Sequence, residues 1–474
     1  MRERILLFVI LSLLGIFLFI FQNYCNTVVG FVILCVCMVT YGLYSIAAMK
    51  YKKRKLKMHP VIINENYKPF VTIMIPAHNE EYVISNTIEN ILAIDYPNFE
   101  IIVIDDRSSD NTANVIRELE AKHEKVVALV RNQDAFPGKS AVLNDAFEIA
   151  KGDAILVFDA DATVEPDFLN KLIPNLEPAD VGAVQARKII RNKDYNFLTK
   201  CQNNEYTMDT HLQAGRDAVK GAVELRGNGE LIKREALIDI GGWNNYTITD
   251  DLDMSTRLHI KGWDVRFCPE ACVYEEGIIY VFPLFRQRRR WLEGTIRRYL
   301  EYSGEALRSK KMSLRARLDM GIYITQFIMP LWFMMEVVSR IFKLAIDKAD
   351  FHNVLWSSLI VSAVVGIGFF LTIRYSLRRY DAVPRLSAIK QAFETTVYFL
   401  IIWFPMELFI CGKILFCKKD MNWGKTAHGL VLEEEASIKA FIKKELEKTK
   451  KYTIEYTEKY TEKIKHTLAG KGEK

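Results

Sequence analysis

The stretch AILVFDAD, residues 154–161, decides the fold class of this chain. Five apolar residues predict a strand that is buried on both faces, and the two aspartates mark its carboxyl end. Similar apolar runs are VTIMIP from Val71, EIIVIDD from Glu100, KVVALVR from Lys125 and VGAVQARKI from Val181. Helix-like stretches such as NTANVIRELEAKH and SAVLNDAFEIAKG separate them. This alternation predicts an α/β domain with a mostly parallel sheet and right-handed crossovers.

Polar residues collect where these strands end, and open sheets of this type bind ligands there. The endings are IPAHNEE (residues 75–81), DDRSSD (105–110) and DADA (159–162). No GxGxxG follows the first strand, which argues against a dinucleotide-binding Rossmann domain. PGKS (137–140) carries only the end of a P-loop motif. A different kind of ligand site is therefore expected.

Composition limits the class of partner. The formal net charge is +6 over 474 residues, which is too mild and dispersed to predict binding to nucleic acid. The eight cysteines are scattered and form no CxxC pair. They are interpreted as reduced, mostly buried thiols rather than metal ligands.

Apolar segments predict a multi-pass protein of the cell membrane. Residues 5–21 and 27–48 are each about long enough to cross a bilayer, and KYKKRKLK (50–57) then places the following domain in the cytoplasm. Three further apolar segments begin near residues 318, 354 and 393. The expected organisation is two transmembrane helices (1–50), a cytoplasmic catalytic domain (60–310), about three transmembrane or re-entrant segments (311–417) and a charged, helical tail (418–474).

Asp159 and Asp161 suit a divalent cation. If the strand continued, alternation would place both carboxylates on one face, where they repel unless a cation lies between them. Mg²⁺ and Mn²⁺ prefer oxygen ligands and often share them with phosphates. Two aspartates that only shape a turn are the alternative. Asp105 and Asp106 end a neighbouring strand and favour a nucleotide, because they can accept hydrogen bonds from a base or ribose.

Two later motifs extend this site. TITDDLD (247–253) brings Asp250 and Asp251 to the start of a helix, where a carboxylate could take a proton from an attacking hydroxyl. Acids in a first helical turn also stabilise the helix dipole, which explains Asp253. FRQRRRWLEG (285–294) offers arginine to an anion and tryptophan to a flat apolar surface. Its other arginines, Arg286, Arg288 and Arg289, are interpreted as ordinary charges at a membrane interface.

DDRSSD, DAD, TDD and QRRRW occur in the order and spacing of membrane-bound family-2 glycosyltransferases, which include cellulose, hyaluronan and poly-N-acetylglucosamine synthases. The resemblance covers about residues 69–300 and implies a GT-A fold, a UDP-sugar donor and a divalent cation (Mg²⁺ or Mn²⁺). Its implied roles are uridine binding by Asp105 and Asp106, nucleotide contact by Lys139, metal and diphosphate binding by Asp159 and Asp161, general-base catalysis by Asp251, and substrate contacts by Asp250, Gln287, Arg290 and Trp291. Asp250 stands where the family more often has glutamate. In the QxxRW motif the arginine supports the diphosphate and the tryptophan stacks on the acceptor.

A second resemblance concerns the acceptor. QARKIIRNKDYNF from Gln185, ELRGNGELIKREAL from Glu224 and GGWNNYTITDDLD from Gly241 look similar to the monoglucosyldiacylglycerol synthases. The expected function is inverting transfer of a hexosyl unit from a UDP-sugar to a membrane-associated acceptor, favouring a glucosyl-diacylglycerol type of glycolipid. One alternative is a processive synthase of a β-linked extracellular polysaccharide, working with partner membrane subunits. The other is an inactive membrane scaffold or sugar-nucleotide sensor.

Overall fold

The computed structural model describes residues 2–24, 27–58, 64, 66–346 and 351–417. The tail expected at 418–474 lies outside the described residues. The eight strands are β1 (Val71–Ala77), β2 (Phe99–Asp105), β3 (Val126–Val130), β4 (Ala154–Val157), β5 (Thr163–Val164), β6 (Val181–Ile190), β7 (Glu230–Lys233) and β8 (Asp264–Glu275).

The strands form one sheet in the order β3-β2-β1-β4-β7-β6-β8-β5. Neighbours among the first four strands are parallel, and β6 is parallel to β8, whereas β7 and β5 run antiparallel to their neighbours. The predicted α/β domain with a mostly parallel sheet is therefore confirmed. Strands β5, β7 and β8 were not predicted. Strands β5 and β7 have only two to four residues, which give no readable periodicity, and β8 is interrupted by charged residues and Pro269.

Helices cover both faces of the sheet. Within the domain they are α3 (Ile84–Leu92), α4 (Thr112–Lys122), α5 (Lys139–Ile149), α6 (Phe168–Leu172), α7 (Phe197–Ala218), α8 (Arg234–Ile240) and α9 (Asp250–Lys261). One buried cluster joins β1 and β2 to α3 and α6, and a second joins β4 and β7 to α5 and α9. On the second face both α5 and α9 begin at residues that the sequence assigns to the site, Lys139 and Asp250.

Long helices flank the sheet domain. They are α1 (Arg2–Tyr24), α2 (Thr27–Met58), α10 (Val281–Arg308), α11 (Leu314–Ile346), α12 (Phe351–Tyr380), α13 (Arg385–Tyr398) and α14 (Phe404–Phe416). A π-helical stretch, Phe399–Trp403, joins α13 to α14. Over the part of the chain that the structure describes, one such segment, Arg385–Phe416, is long and apolar enough to cross a membrane. Pro330 lies inside α11, whereas Pro405 is the second residue of α14 and follows the π-helical stretch.

Polar contacts fasten these helices to the domain. Asp319 of α11 accepts hydrogen bonds from Tyr41 of α2, from Arg216 of α7 and from the backbone N–H of Ala222. Arg216, Asp319 and the neighbouring Glu224 are almost fully buried. Since one carboxylate serves three separate segments, the position of the loop after α7 depends on α2 and α11.

Candidate active site

Lys139 and Asp159 meet where β4 ends and α5 begins. The Lys139 Nζ donates to Asp159 Oδ1 at 2.7 Å and to the carbonyl oxygen of Gly227 at 2.9 Å. Burial alone would lower the pKa of Lys139, but Asp159, Asp250 and Glu230 raise it, so the ammonium stays charged. Strand β4 ends at Val157, so the two aspartates lie in the turn after the strand rather than on one face of it.

The turn at Gly227 connects this pair to Asp251. Gly227 has φ +78°, and a Cβ added there would lie 3.2 Å from Asp251 Oδ2. The next residue, Asn228, accepts a hydrogen bond from the backbone N–H of Asp159 at 3.2 Å. One glycine turn therefore contacts Lys139, Asp159 and Asp251, which are remote from one another in the sequence.

The surroundings of Asp251 raise its pKa. Burial, followed by the neighbouring charge of Asp250, raises the pKa of Asp251 to about 6, although its own hydrogen bond from the Leu252 N–H opposes this. Such a carboxylate is mostly ionised at neutral pH and binds a proton more readily than an ordinary aspartate does. Asp253, by contrast, bonds to Arg257 and Tyr302, which confirms its structural interpretation.

Asp161 lies on the other side of the same turn. Its Oδ2 accepts the backbone N–H of Glu276 at 2.8 Å, next to the end of β8. In the described part of the chain, no three His, Cys, Asp or Glu side chains are grouped to hold a metal ion. Two carboxylates are nevertheless a suitable donor set for Mg²⁺ or Mn²⁺ when a diphosphate and water complete the coordination. The residues present fit a cation that binds together with its nucleotide.

Asp105 and Asp106 differ in their surroundings, although both are buried. The Asp106 carboxylate is paired with Arg131 at 2.7 Å and with Arg107 at 2.9 Å. Asp105 Oδ2 accepts the Ser108 N–H at 3.3 Å, while Oδ1 has no hydrogen-bond partner among the described residues. That both carboxylates bind the nucleotide stays a prediction. Asp105 Oδ1 lacks a partner among the described residues, whereas the Asp106 carboxylate is paired with two arginines.

The QxxRW segment lies in α10 and faces the same site. The charges that act on Arg290 are those of Asp250, Asp251 and Asp159, although burial is the larger effect and lowers the pKa of Arg290. Trp291, the next residue, is half-buried. Gln287 Oε1 accepts a hydrogen bond from Arg288 Nη1, and the substrate contact of Gln287 stays a prediction.

Arg288 corrects the interpretation of the arginine run. It is fully buried rather than an interface charge, and its Nε lies 3.2 Å from the Glu205 carboxylate of α7. Its guanidinium also lies over the Trp291 ring. The sequence could have predicted the contact between Arg288 and Trp291, because residues three apart lie on the same face of a helix.

Two further residues at the site carry charge that the sequence analysis did not single out. Lys188 of β6 lies beside Trp291 and pairs with Glu275 of β8 at 2.9 Å. Glu230, the first residue of β7, is fully buried, and neither carboxylate oxygen has a partner among the described residues. Burial, then Asp250 and Asp251, raises the pKa of Glu230 well above that of a free glutamate. An ionisable residue within a mostly buried strand was the signal in both cases.

Comparisons with known proteins identify relatives of this chain. Residues 69–294 match the family described as glycosyltransferase like family 2. The beta-monoglucosyldiacylglycerol synthase of Trichormus variabilis is 35% identical over 363 residues, which are 76% of each chain. The enzyme of that name from Synechocystis sp. is 31% identical over 419 residues, 84% of each chain. The poly-beta-1,6-N-acetyl-D-glucosamine synthase of Staphylococcus epidermidis is 30% identical, over 52% of this chain and 59% of that protein.

A solved structure supports the fold. The mannosyltransferase PcManGT from Pyrobaculum calidifontis, in complex with GDP-Man and Mn²⁺, superimposes with a TM-score of 0.54. The match has 20% sequence identity and covers 78% of this chain and 98% of that one. The sheet domain is therefore of the GT-A type. Together the sequence relatives and the fold show that this chain belongs to the family-2 glycosyltransferases and is a hexosyltransferase with a sugar-nucleotide donor.

Proposed function

We propose that the protein transfers glucose from UDP-glucose to the free hydroxyl of diacylglycerol within a membrane. The observation that carries this proposal is the position of Trp291. The next residue, Leu292, packs in a buried apolar cluster with Leu7 of α1, Leu331 of α11 and Ile410 of α14. An acceptor bound at Trp291 therefore lies directly beside the apolar helices, where a lipid would approach.

The opposite wall of the site is also fastened to these helices. Arg226, which precedes the glycine turn, donates to Tyr323 of α11 at 3.3 Å and pairs with Asp209 and Glu224. The base Asp251 contacts that turn. A hydroxyl at the surface of the bilayer would thus meet the base without leaving the membrane interface.

The donor occupies the strand ends. Asp105 Oδ1 accepts a hydrogen bond from the nucleoside. Lys139, at the start of α5, and Arg290, on α10, attract the diphosphate, because both are partly buried cations beside Asp159. Arginine binds phosphate through a planar fork that lysine lacks. Asp159 and Asp161 would hold a divalent cation, which would supply positive charge beside the diphosphate of the leaving UDP.

The reaction is an inverting single displacement. Asp251 Oδ2 takes the proton of the acceptor hydroxyl, and the oxygen attacks the anomeric carbon from the side opposite to UDP. The glycosidic bond forms as the bond to UDP breaks, and UDP leaves with the bonding electron pair. A positioned base contributes about 10²–10⁴-fold in rate.

The membrane arrangement is part of the proposal. Helices α1, α2, α11, α12 and Arg385–Phe416 anchor the chain in the cell membrane, and the sheet domain faces the cytoplasm. The basic end of α2, KYKKRKLK, favours this side. The identity with two monoglucosyldiacylglycerol synthases over three quarters or more of each chain supports a lipid acceptor.

Product analysis tests the acceptor. The full-length protein in detergent micelles is incubated with radiolabelled UDP-glucose and dioleoylglycerol, and the organic phase is analysed by mass spectrometry. We expect a solvent-extractable lipid with one added hexose. A high-mass polymer from UDP-glucose or UDP-N-acetylglucosamine would indicate the polysaccharide synthase instead. Neither product, with UDP still bound, would indicate an inactive scaffold.

A further inference from the structure

Lys188 lies between the residues proposed for acceptor, base and donor. It belongs to β6, at the position that pairs with Val273 of β8. Its side chain is mostly buried, and its Nζ lies 5.5 Å from the centre of the Trp291 ring and 4.9 Å from that of Tyr206. Both distances are within the range of a cation–π interaction.

The same ammonium reaches the glycine turn. Lys188 Nζ donates to the carbonyl oxygen of Arg226 at 3.4 Å, and Arg226 immediately precedes Gly227, the residue that contacts Asp251. One side chain therefore connects the indole on α10 to the turn beside the base. Helix α10 also contacts the start of α9 directly, where Gly294 lies against Thr249, so Lys188 adds a second, polar link close to Trp291.

The charge of Lys188 is maintained by its surroundings. Burial alone would lower the pKa of Lys188, but Glu275, followed by Asp159 and Asp251, raises it. A permanent cation at this point attracts both the donor-side and the base carboxylates. It also interacts with the π-face of Trp291, which a neutral side chain would not do.

A purely structural role would explain only part of this arrangement. The ion pair with Glu275 joins β6 to β8, yet these strands are already paired from Val181 to Ile190. The contacts with Trp291 and with the Arg226 carbonyl add nothing to that ladder. They do fix the distance between the acceptor surface and the base.

We propose that Lys188 is a positioning residue that holds Trp291 in register with Asp251, so that the acceptor hydroxyl is presented to the base. This inference rests on the proposed function, because it takes Trp291 as the acceptor surface. It predicts a defect in the use of acceptor, with the binding of the nucleotide preserved.

The test compares Lys188→Met and Lys188→Arg with the wild type, using dioleoylglycerol micelles and UDP-glucose. Lys188→Met should raise the acceptor KM by about three- to thirtyfold, the equivalent of a lost cation–π contact. UDP affinity, measured by calorimetry, should stay within about twofold. Lys188→Arg keeps the cation and should recover part of the loss. Lys151→Met is the matched control, since Lys151 is an exposed lysine paired with Glu100 at 3.6 Å.

The outcomes separate this inference from the proposed function. A wild type that makes no glucosylated lipid refutes the proposed function itself. An active wild type with a normal acceptor KM in Lys188→Met overturns the role of Lys188, as does a loss of UDP affinity equal to the change in KM. If Lys188→Met does not fold, Lys188→Arg is combined with Trp291→Phe. Non-additive effects on acceptor KM support the link, and additive effects refute it.

Discussion

The guanidinium carbon of Arg288 lies 4.2 Å from the centre of the Trp291 ring, and the Arg288 side chain is fully buried. The Arg288 guanidinium therefore packs against the Trp291 ring, and an ion pair with Glu205 of α7 fixes the position of this guanidinium. This relationship connects the stability of the α7–α10 interface to the geometry of the proposed acceptor surface.

Replacement of Arg288 should lower stability and acceptor use together. Arg288→Ala leaves Glu205 buried without its cation, which typically costs about 3–5 kcal/mol. Arg288→Lys keeps a charge but loses the planar contact with Trp291, so it should raise the acceptor KM with a smaller loss of stability. Thermal denaturation and acceptor titrations measure both effects. Arg117→Lys, on the exposed side of α4, is the control. An Arg288→Ala protein that melts with the wild type would contradict the buried ion pair.

The pH dependence of the reaction should follow Asp251. Burial and Asp250 raise its pKa to about 6, and the base acts only in the ionised form. The rate should therefore fall about tenfold per pH unit well below pH 6 and reach a plateau above it. Initial rates between about pH 4.5 and about pH 8.5, with both substrates saturating, measure the profile, because this range brackets the pKa of Asp251. A rate that rises as the pH is lowered through 6 would exclude a carboxylate base at this position.

Two glycines with the same backbone conformation should behave differently. Gly227 and Gly241 have φ of +78° and +80°, but an added Cβ meets Asp251 Oδ2 at 3.2 Å in the first case and nothing within 4 Å in the second. Alanine costs about 1–2 kcal/mol at either position, because the left-handed conformation is strained. Only Gly227→Ala should also lose activity, since it displaces the base. Equal activity in the two variants, at matched stability, would show that the turn does not position Asp251.

Glu230 should make the protein less stable at higher pH. Its pKa is raised in the folded state, so the folded chain binds this proton more tightly than the unfolded chain does. The resulting stabilisation is present below the unfolded pKa, about 4.5, and is lost as the pH rises through the folded value. Glu230→Gln removes the titration and should raise the midpoint of urea unfolding at pH 8 relative to the wild type. If Glu230→Gln raised the urea midpoint more at pH 5 than at pH 8, the predicted pH dependence would be contradicted.

Sequence predicted the parts of this molecule that depend on local pattern. The apolar runs in β1, β2, β3, β4 and β6 and the helices between them follow from buried-strand composition and crossover geometry. The acids at the ends of β2 and β4 follow from the same rule, since parallel strands present their carboxyl ends at one edge. What remained hidden depends on tertiary contacts. Asp106 and Arg131, 25 residues apart, pair only in the folded domain, and Arg288 is buried only because α7 supplies Glu205.

The same distinction applies to the site itself. Asp251 was assigned as the base through a family resemblance, whereas its raised pKa and its contact with the Gly227 turn come from folding. Lys188 looked like one residue of a strand until Trp291 and Arg226 were seen beside it. Neighbouring loops set the direction of a side chain at the end of a strand, so the periodicity of the sequence does not predict that direction.

The most direct test of the account is the turnover of Asp251→Asn with UDP-glucose and dioleoylglycerol. Asparagine keeps the size of the side chain and cannot accept the proton, so UDP should still bind while formation of glucosylated lipid falls by about 10²-fold or more. Near-wild-type turnover in this variant would contradict the assignment of Asp251 as the residue that activates the acceptor.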